Sequence, residues 1–110
     1  MSLAVVYISI GNSDDKLTQA EWSSFYSAVS LAVHEAANAP VGAVHGQWVS
    51  EPASRWQNAC WALQLPADYG AIAHLKNVLV QLAATFRQES IAWAVAPMTE
   101  FLGPAGGGPS

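Results

Sequence analysis

Between Leu3 and Ala96 the spacing of apolar residues switches between the two-residue period of a strand and the three-and-four spacing of a helix. The order of those switches constrains the fold more than any single motif. Leu3 to Ile10 is rich in β-branched residues and alternates Val6, Ile8 and Ile10 against Val5, Tyr7 and Ser9, which predicts a strand with two different faces. From Thr18 to about Ala37, Trp22, Phe25, Tyr26, Val29, Val33 and Ala36 fall on one helical stripe, closed by Asn38-Ala39-Pro40. Val41 to Ser50 and Trp56 or Gln57 to Leu65 read as two strands, joined through the hairpin-length connection Glu51-Pro52-Ala53-Ser54-Arg55. Asp68 offers an N-cap for a second helix whose stripe is Ile72, Leu75, Leu79, Leu82 and Phe86. Ser90 to Ala96 reads as a fourth strand, with Ile91, Trp93 and Val95 alternating against small residues.

The order βαββαβ implies an α+β, ferredoxin-like fold. Right-handed crossovers place both helices on one face of a four-stranded antiparallel sheet of strand order 4-1-3-2. Gly42 and Gly46 leave open a bulged or broken second strand and a smaller sheet. Residues 1–102 are expected to form one domain, followed by a flexible Gly/Pro tail over 103–110.

If helices cover one face, Val6, Ile8, Ile10, Trp61, Leu63, Leu65, Ile91, Trp93 and Val95 form the core. The other face then carries Tyr7, Ser9, Asn58, Cys60, Ala62, Gln64, Ala92 and Ala94, with His45 and Gln47 if the second strand keeps phase. That set is too polar for a core and too poor in charge for an ordinary solvated surface. Either the same face of another subunit or a ligand held between subunits would cover it, and a homo-oligomer through this open sheet face, a dimer or higher, is the expectation. A plain semi-polar surface on a monomer is the alternative.

With 11% charged residues, 52% apolar ones and five tryptophans, the chain has the profile of a folded domain. The net charge of −4 excludes sequence-independent binding to a nucleic-acid polymer or an anionic membrane, since Lys16, Arg55, Lys76 and Arg87 are the only basic residues apart from histidine and are scattered. A single cysteine, Cys60, forms no internal disulfide. The opening Met1-Ser2-Leu3-Ala4 lacks the features of a secretory signal, and no run is long enough to span a membrane, so a cytoplasmic setting is expected.

Two stretches attract functional readings. In "IGNSDDKLTQAEW", Thr18 to Glu21 is a T-x-x-E capping box, with Leu17 and Trp22 placed as a hydrophobic staple. Asn12, Ser13, Asp14, Asp15 and Lys16 are not needed for that cap. They form either an Asx-turn loop, with Asn12 left-handed, or a contact for a ligand or partner. A phosphate cradle fails because glycine is missing where Lys16 stands and two carboxylates would repel the anion. A calcium loop fails for lack of spaced ligands, and no metal site or cofactor is expected.

In "HGQWVSEPASRWQNACW", Trp61 belongs to the core by phase. Trp48 and Trp56 flank the turn and are expected at an inter-subunit contact or a pocket wall, or packed under the hairpin, with the amides of Gln57 and Asn58 beside them. A turn centred near Pro52 and Ala53 brings His45 opposite Cys60, where a Cys-His pair would make an activated thiolate; a one-residue slip in register destroys it. The topology is expected to hold the Asn12 loop and the hairpin roughly 20 Å apart, with Glu89 and Ser90 near Asn12.

The stretches "YISIGNSDDKLTQAEW", "VHGQW", "WQNACW" and "SIAWA" resemble a group of small actinobacterial and actinophage proteins of unassigned activity, over nearly the whole chain to about Leu102. In shape the chain also resembles the dimeric ferredoxin-like barrels of cofactor-independent monooxygenases and isomerases, and compact phage proteins that sequester a signalling nucleotide. Neither supplies a motif that transfers residue by residue. The favoured reading is a non-enzymatic homo-oligomer that binds a small molecule or a protein partner through Asn12–Lys16 and the hairpin residues His45, Trp48, Trp56, Gln57 and Asn58. As an enzyme, it would use Tyr7, His45, Asn58 and Trp93 around a pocket between sheet and helices. As a nucleotide sponge, it would gather its basic residues at an interface.

Overall fold

The computed structural model describes all residues except 1–2, 13, 39–41, 52–53, 55, 68, 97–99, 101 and 106–110, together with the side chain of Tyr69. Its elements run β1 (Leu3–Gly11), α1 (Gln19–Ala37), β2 (Ala43–Val49), β3 (Asn58–Pro66), α2 (Tyr69–Thr85) and β4 (Ala92–Ala96). The sheet order is β2-β3-β1-β4, with every neighbouring pair antiparallel. This is the ferredoxin-like α+β arrangement that the segment order implies. Position 41 and the Asp68 N-cap fall outside the described residues, as does the tail beyond Ala105; Leu102 is 89% exposed.

The two-residue period of β1 does what it predicts. Val6 and Ile8 are fully buried and Ile10 nearly so, while Tyr7 between them is 49% exposed. Trp61, Leu63 and Leu65 of β3 join them from the same side of the sheet. From above, α1 contributes Trp22, Phe25, Val29 and Val33, and α2 contributes Leu75 and Leu79. Each such side chain fully buried is worth about 1.5–3 kcal/mol relative to exposure.

The start of α1 is the capping box its sequence announces. The Glu21 N–H donates to Thr18 Oγ1 at 3.1 Å, and the Thr18 N–H donates to Glu21 Oε1 at 3.0 Å. Leu17 and Trp22 are both buried in the core, as a staple requires. At its far end α2 closes on Arg87, which takes the left-handed φ of 56°. There Gln88 N–H donates to the Ala83 carbonyl (2.8 Å) and Arg87 N–H to that of Ala84 (3.2 Å), a Schellman closure with arginine in the place where glycine is favoured.

Arg87 then reaches α1, its Nη2 lying 2.6 Å from Glu21 Oε2. The Thr18 backbone N–H holds the Glu21 carboxyl below its usual value of 4.5, and the Arg87 guanidinium lowers it further. Because the folded value is lowered, the ionised Glu21 supports the fold fully above about pH 4.5, and that support is lost as pH falls through the folded midpoint. Arg87→Gln is expected to raise the Glu21 midpoint without restoring it to 4.5, followed by NMR of the carboxyl carbon. An unchanged midpoint would mean that the ion pair is not formed in solution.

Three expectations need correcting. First, β2 does not keep phase: the bulge left open above is present, its register with β3 slipping between Val44, opposite Leu63, and Gly46, opposite Ala62, so that His45 is the extra residue. The strand survives and the sheet keeps four strands, but its phase reverses beyond the bulge. Second, Trp93 and Ile91 are only partly buried and Val95 is 41% exposed, although they share the helix side with Val6 and Ile8. The reason is that α2 packs on α1 and β3, leaving edge strand β4 incompletely roofed. Third, the left-handed residue of the first loop is Asp15 (φ 57°), not Asn12.

Candidate ligand and partner surfaces

The first loop divides into a buried and an exposed half. Asn12 is 2% exposed and spends its amide on the scaffold. Its Oδ1 accepts from the Leu17 N–H (3.0 Å), and its Nδ2 donates to the Leu17 carbonyl (3.0 Å) and to Gln57 Oε1 (3.1 Å). Gln57, 4% exposed, also exchanges amide hydrogen bonds with Gln19 at 2.7 and 3.1 Å. Asp14, Asp15 and Lys16 are exposed, and Ser13 lies outside the described residues. Lys16 Nζ stands 3.7 Å from Asp14 and 3.6 Å from Glu89, which confirms Glu89 as a neighbour of this loop.

The expected 20 Å separation of loop and hairpin is therefore wrong. β1 and β3 run antiparallel, so the end of β1 meets the beginning of β3. Gly11 faces Asn58, and the Asn12 N–H donates to the Gln57 carbonyl at 2.8 Å. The two candidate patches are one continuous region joined through Gln57. Gln19, which sequence reading passed over, completes it; the signal for it was its position as the first helical residue after the cap.

The hairpin register removes the Cys-His pair. Trp48, not His45, lies opposite Cys60, because the bulge shifts the pairing. Gln47 falls opposite Trp61 on the helix side, where its amide donates to Tyr26 Oη (3.2 Å) and its Oε1 lies 3.3 Å from His34 Nε2. Tyr26 stacks on Trp61 at 5.5 Å. Gln47 therefore leaves the open face and Trp48 enters it. Trp56 is 60% exposed beside the hairpin, and Asn58 is partly buried, its amide donating to the Trp56 carbonyl.

What remains on the open face is unusual in composition. The ladder rows read Ala43–Gln64–Val5–Ala96, then Gly46–Ala62–Tyr7–Ala94, then Trp48–Cys60–Ser9–Ala92, with Asn58 and Gly11 beyond. None of these residues is Asp, Glu, Lys, Arg or His. Tyr7 and Trp48, 49% and 55% exposed, rim a trough of about 350 Å³ floored by Gly46, Cys60 and Ala62. Across it Ser9 Oγ donates to Cys60 Sγ at 3.2 Å.

On the helix side, the incomplete roof over β4 leaves a groove of about 720 Å³ between α2 and the strand. Trp93 and Ile91 form one wall and Leu79, Val80 and Ala83 the other. Of the four residues proposed for an enzyme pocket, only Trp93 lies here: Tyr7 faces the opposite side and His45 is the bulge of the far edge strand. Lys16 and Arg87 are committed to carboxylates, which leaves little positive charge for a nucleotide sponge among the described residues. Among those residues no group of three His, Cys, Asp or Glu is placed to hold a metal ion, and no helix is long and apolar enough to cross a membrane.

The sequence matches no family model and no curated protein. Among solved structures, the de novo designed protein Foldit4 is similar at a TM-score of 0.55 and 9% identity, over 88% of this chain and 97% of that one. The C-terminal domain of the MgtC protein from Mycobacterium tuberculosis follows at 0.49 and 9%, over 91% and 93%. A formyltetrahydrofolate deformylase from Burkholderia mallei gives 0.48 and 14%, over 88% of this chain but 28% of the deformylase. The designed protein shares the architecture and nothing more, so any function must be sought in this chain's own surfaces.

Proposed function

We propose that the protein is a small non-enzymatic homo-oligomer of the cytoplasm, paired through its open sheet face, that binds a small molecule or a protein partner. The observation that carries the reading is the absence of charge over the whole described ladder of that face, with two large aromatics left half in water. The face is also self-complementary. A two-fold axis along the strands, between β3 and β1, lays β2 of one copy over β4 of the other. Trp48 then meets the partner's Ala92, and Tyr7 meets the partner's Ala62, large on small in both rows. Sheets packed face to face sit about 10 Å apart, the depth that such interdigitation fills. The exposed residues Asp14, Asp15, Lys16 and Trp56 lie off the paired face, where a further partner would be met. The resemblance to actinobacterial and actinophage proteins is compatible with this reading and adds no activity to it.

Native mass spectrometry should return a dimer or higher closed oligomer at micromolar protein. Ala92→Lys replaces the small seat of Trp48 with a long cation at an exposed position, so the fold should persist. Two symmetry-related sites, each losing about 1.4 kcal/mol, should weaken association about 100-fold. A wild-type monomer, or an oligomer indifferent to Ala92→Lys, would overturn the proposal.

A further inference from the structure

We infer that the groove between α2 and β4 is a binding site for a small amphipathic monocarboxylate, an apolar or aromatic body carrying one negative charge. The volume of about 720 Å³ lies within the range of small-ligand pockets, and the walls are the side chains of Trp93, Ile91, Leu79, Val80 and Ala83. Val80 is 68% exposed there, and Trp93 is only partly buried, so the groove presents apolar surface that the fold itself does not use.

The charge comes from Lys76. Its Nζ lies 5.5 Å from the Trp93 ring centroid, and among the described residues no carboxylate comes within ion-pair distance of it. Lys16 and Arg87, by contrast, are each paired to acidic side chains. In an acidic chain, a lysine without an acidic partner among the described residues, resting over a tryptophan at the edge of an apolar groove, is placed to take an anion whose body lies along the ring. Asn77 and Ser90 add hydrogen-bonding groups to the lining of the groove, whereas the Gln88 amide nitrogen is already donated to the Phe86 carbonyl.

Charge also limits what fits. Glu89 lines the same groove but its carboxylate lies 3.6 Å from Lys16 Nζ, so Lys76 is the one cation among the lining residues. That balance favours one carboxylate over a phosphate or a nucleotide carrying two or more charges. The groove lies on the helix side of the sheet, opposite the face proposed for pairing, so the site does not rest on the oligomer.

The test uses 2-naphthoate as the probe and the neutral 2-naphthamide as its match, with calorimetry for affinity and amide and indole NMR shifts for location. Naphthoate should move the Trp93 indole and the α2 amides around Lys76, and should bind about tenfold more tightly than the amide. Lys76→Met, at an exposed position, should lose that tenfold advantage, and Lys76→Arg should keep most of it. The same binding should persist in Ala92→Lys, which separates this site from the pairing face. Equal affinity for acid and amide, shifts confined to other surfaces, or no saturable binding at millimolar probe would each overturn the assignment.

Discussion

Asn12→Ala is expected to lower the unfolding free energy by about 3 kcal/mol, measured by urea denaturation. The side chain closes the loop between β1 and α1 from inside, through two bonds to the backbone of Leu17 and one to Gln57. Leu17 is 2% exposed and Gln57 4%, so truncation leaves their polar groups without water to replace the lost amide. Asp14→Ala and Asp15→Ala provide the contrast. Both residues are exposed, and each replacement should fall within about 0.5 kcal/mol of wild type. A loss under 1 kcal/mol for Asn12→Ala would show that the loop is not held this way. The expected pattern makes Asn12 architectural and confines any recognition by this loop to its outer half.

The second large effect is at Gly42, where the chain leaves α1 and turns into β2. A Cβ built there would collide with the backbone carbonyl of Ala37, its oxygen and carbon both inside van der Waals contact. The obstacle is backbone at a helix end, packed against a core that holds Ala37 at 9% exposure, so it cannot rotate aside. Gly42→Ala should therefore cost about 2 kcal/mol, the penalty of forcing extra volume into a filled space. Gly46→Ala is the matched control, because a Cβ at that position meets nothing within 4 Å. It should be neutral or slightly stabilising, since alanine has less backbone freedom to lose. Equal thermal midpoints for the two variants would mean that the α1–β2 connection relaxes away from Ala37.

Much of this architecture is legible in the chain because its periods are local. Val6, Ile8 and Ile10 declare one face of β1 without reference to anything else, and Thr18 with Glu21 marks the start of α1 by chemistry contained within four residues. The errors arise where one segment must be placed on another. The position of α2 over α1 and β3 rather than over β4 depends on how side chains such as Phe86 seat on Phe25, 4.9 Å between ring centroids, and no spacing rule encodes it. Hence Val95 reads as core and is not, and Lys76 reads only as one of four scattered basic residues, not as the neighbour of Trp93. Asn12 and Gln57 are both visible as candidates, Asn12 as a turn residue or a ligand contact and Gln57 as a binding amide. Their use as each other's partners follows from the antiparallel meeting of Gly11 with Asn58, which the segment order already contains once the strand directions are followed through.

The unpaired His45 acts as a parity switch. Upstream of it, odd and even positions of the edge strand have one assignment to inside and outside; downstream the assignment is inverted. Were His45 drawn into the ladder opposite Ala62, with no letter changed, Gln47 would fall opposite Cys60 and Trp48 opposite Ala59, turning the indole toward the helices and the glutamine toward water. The aromatic character of the bare surface thus depends on one residue being left out of the pairing, and homologues of this chain with or without a counterpart of residue 45 should be aligned separately on its two sides.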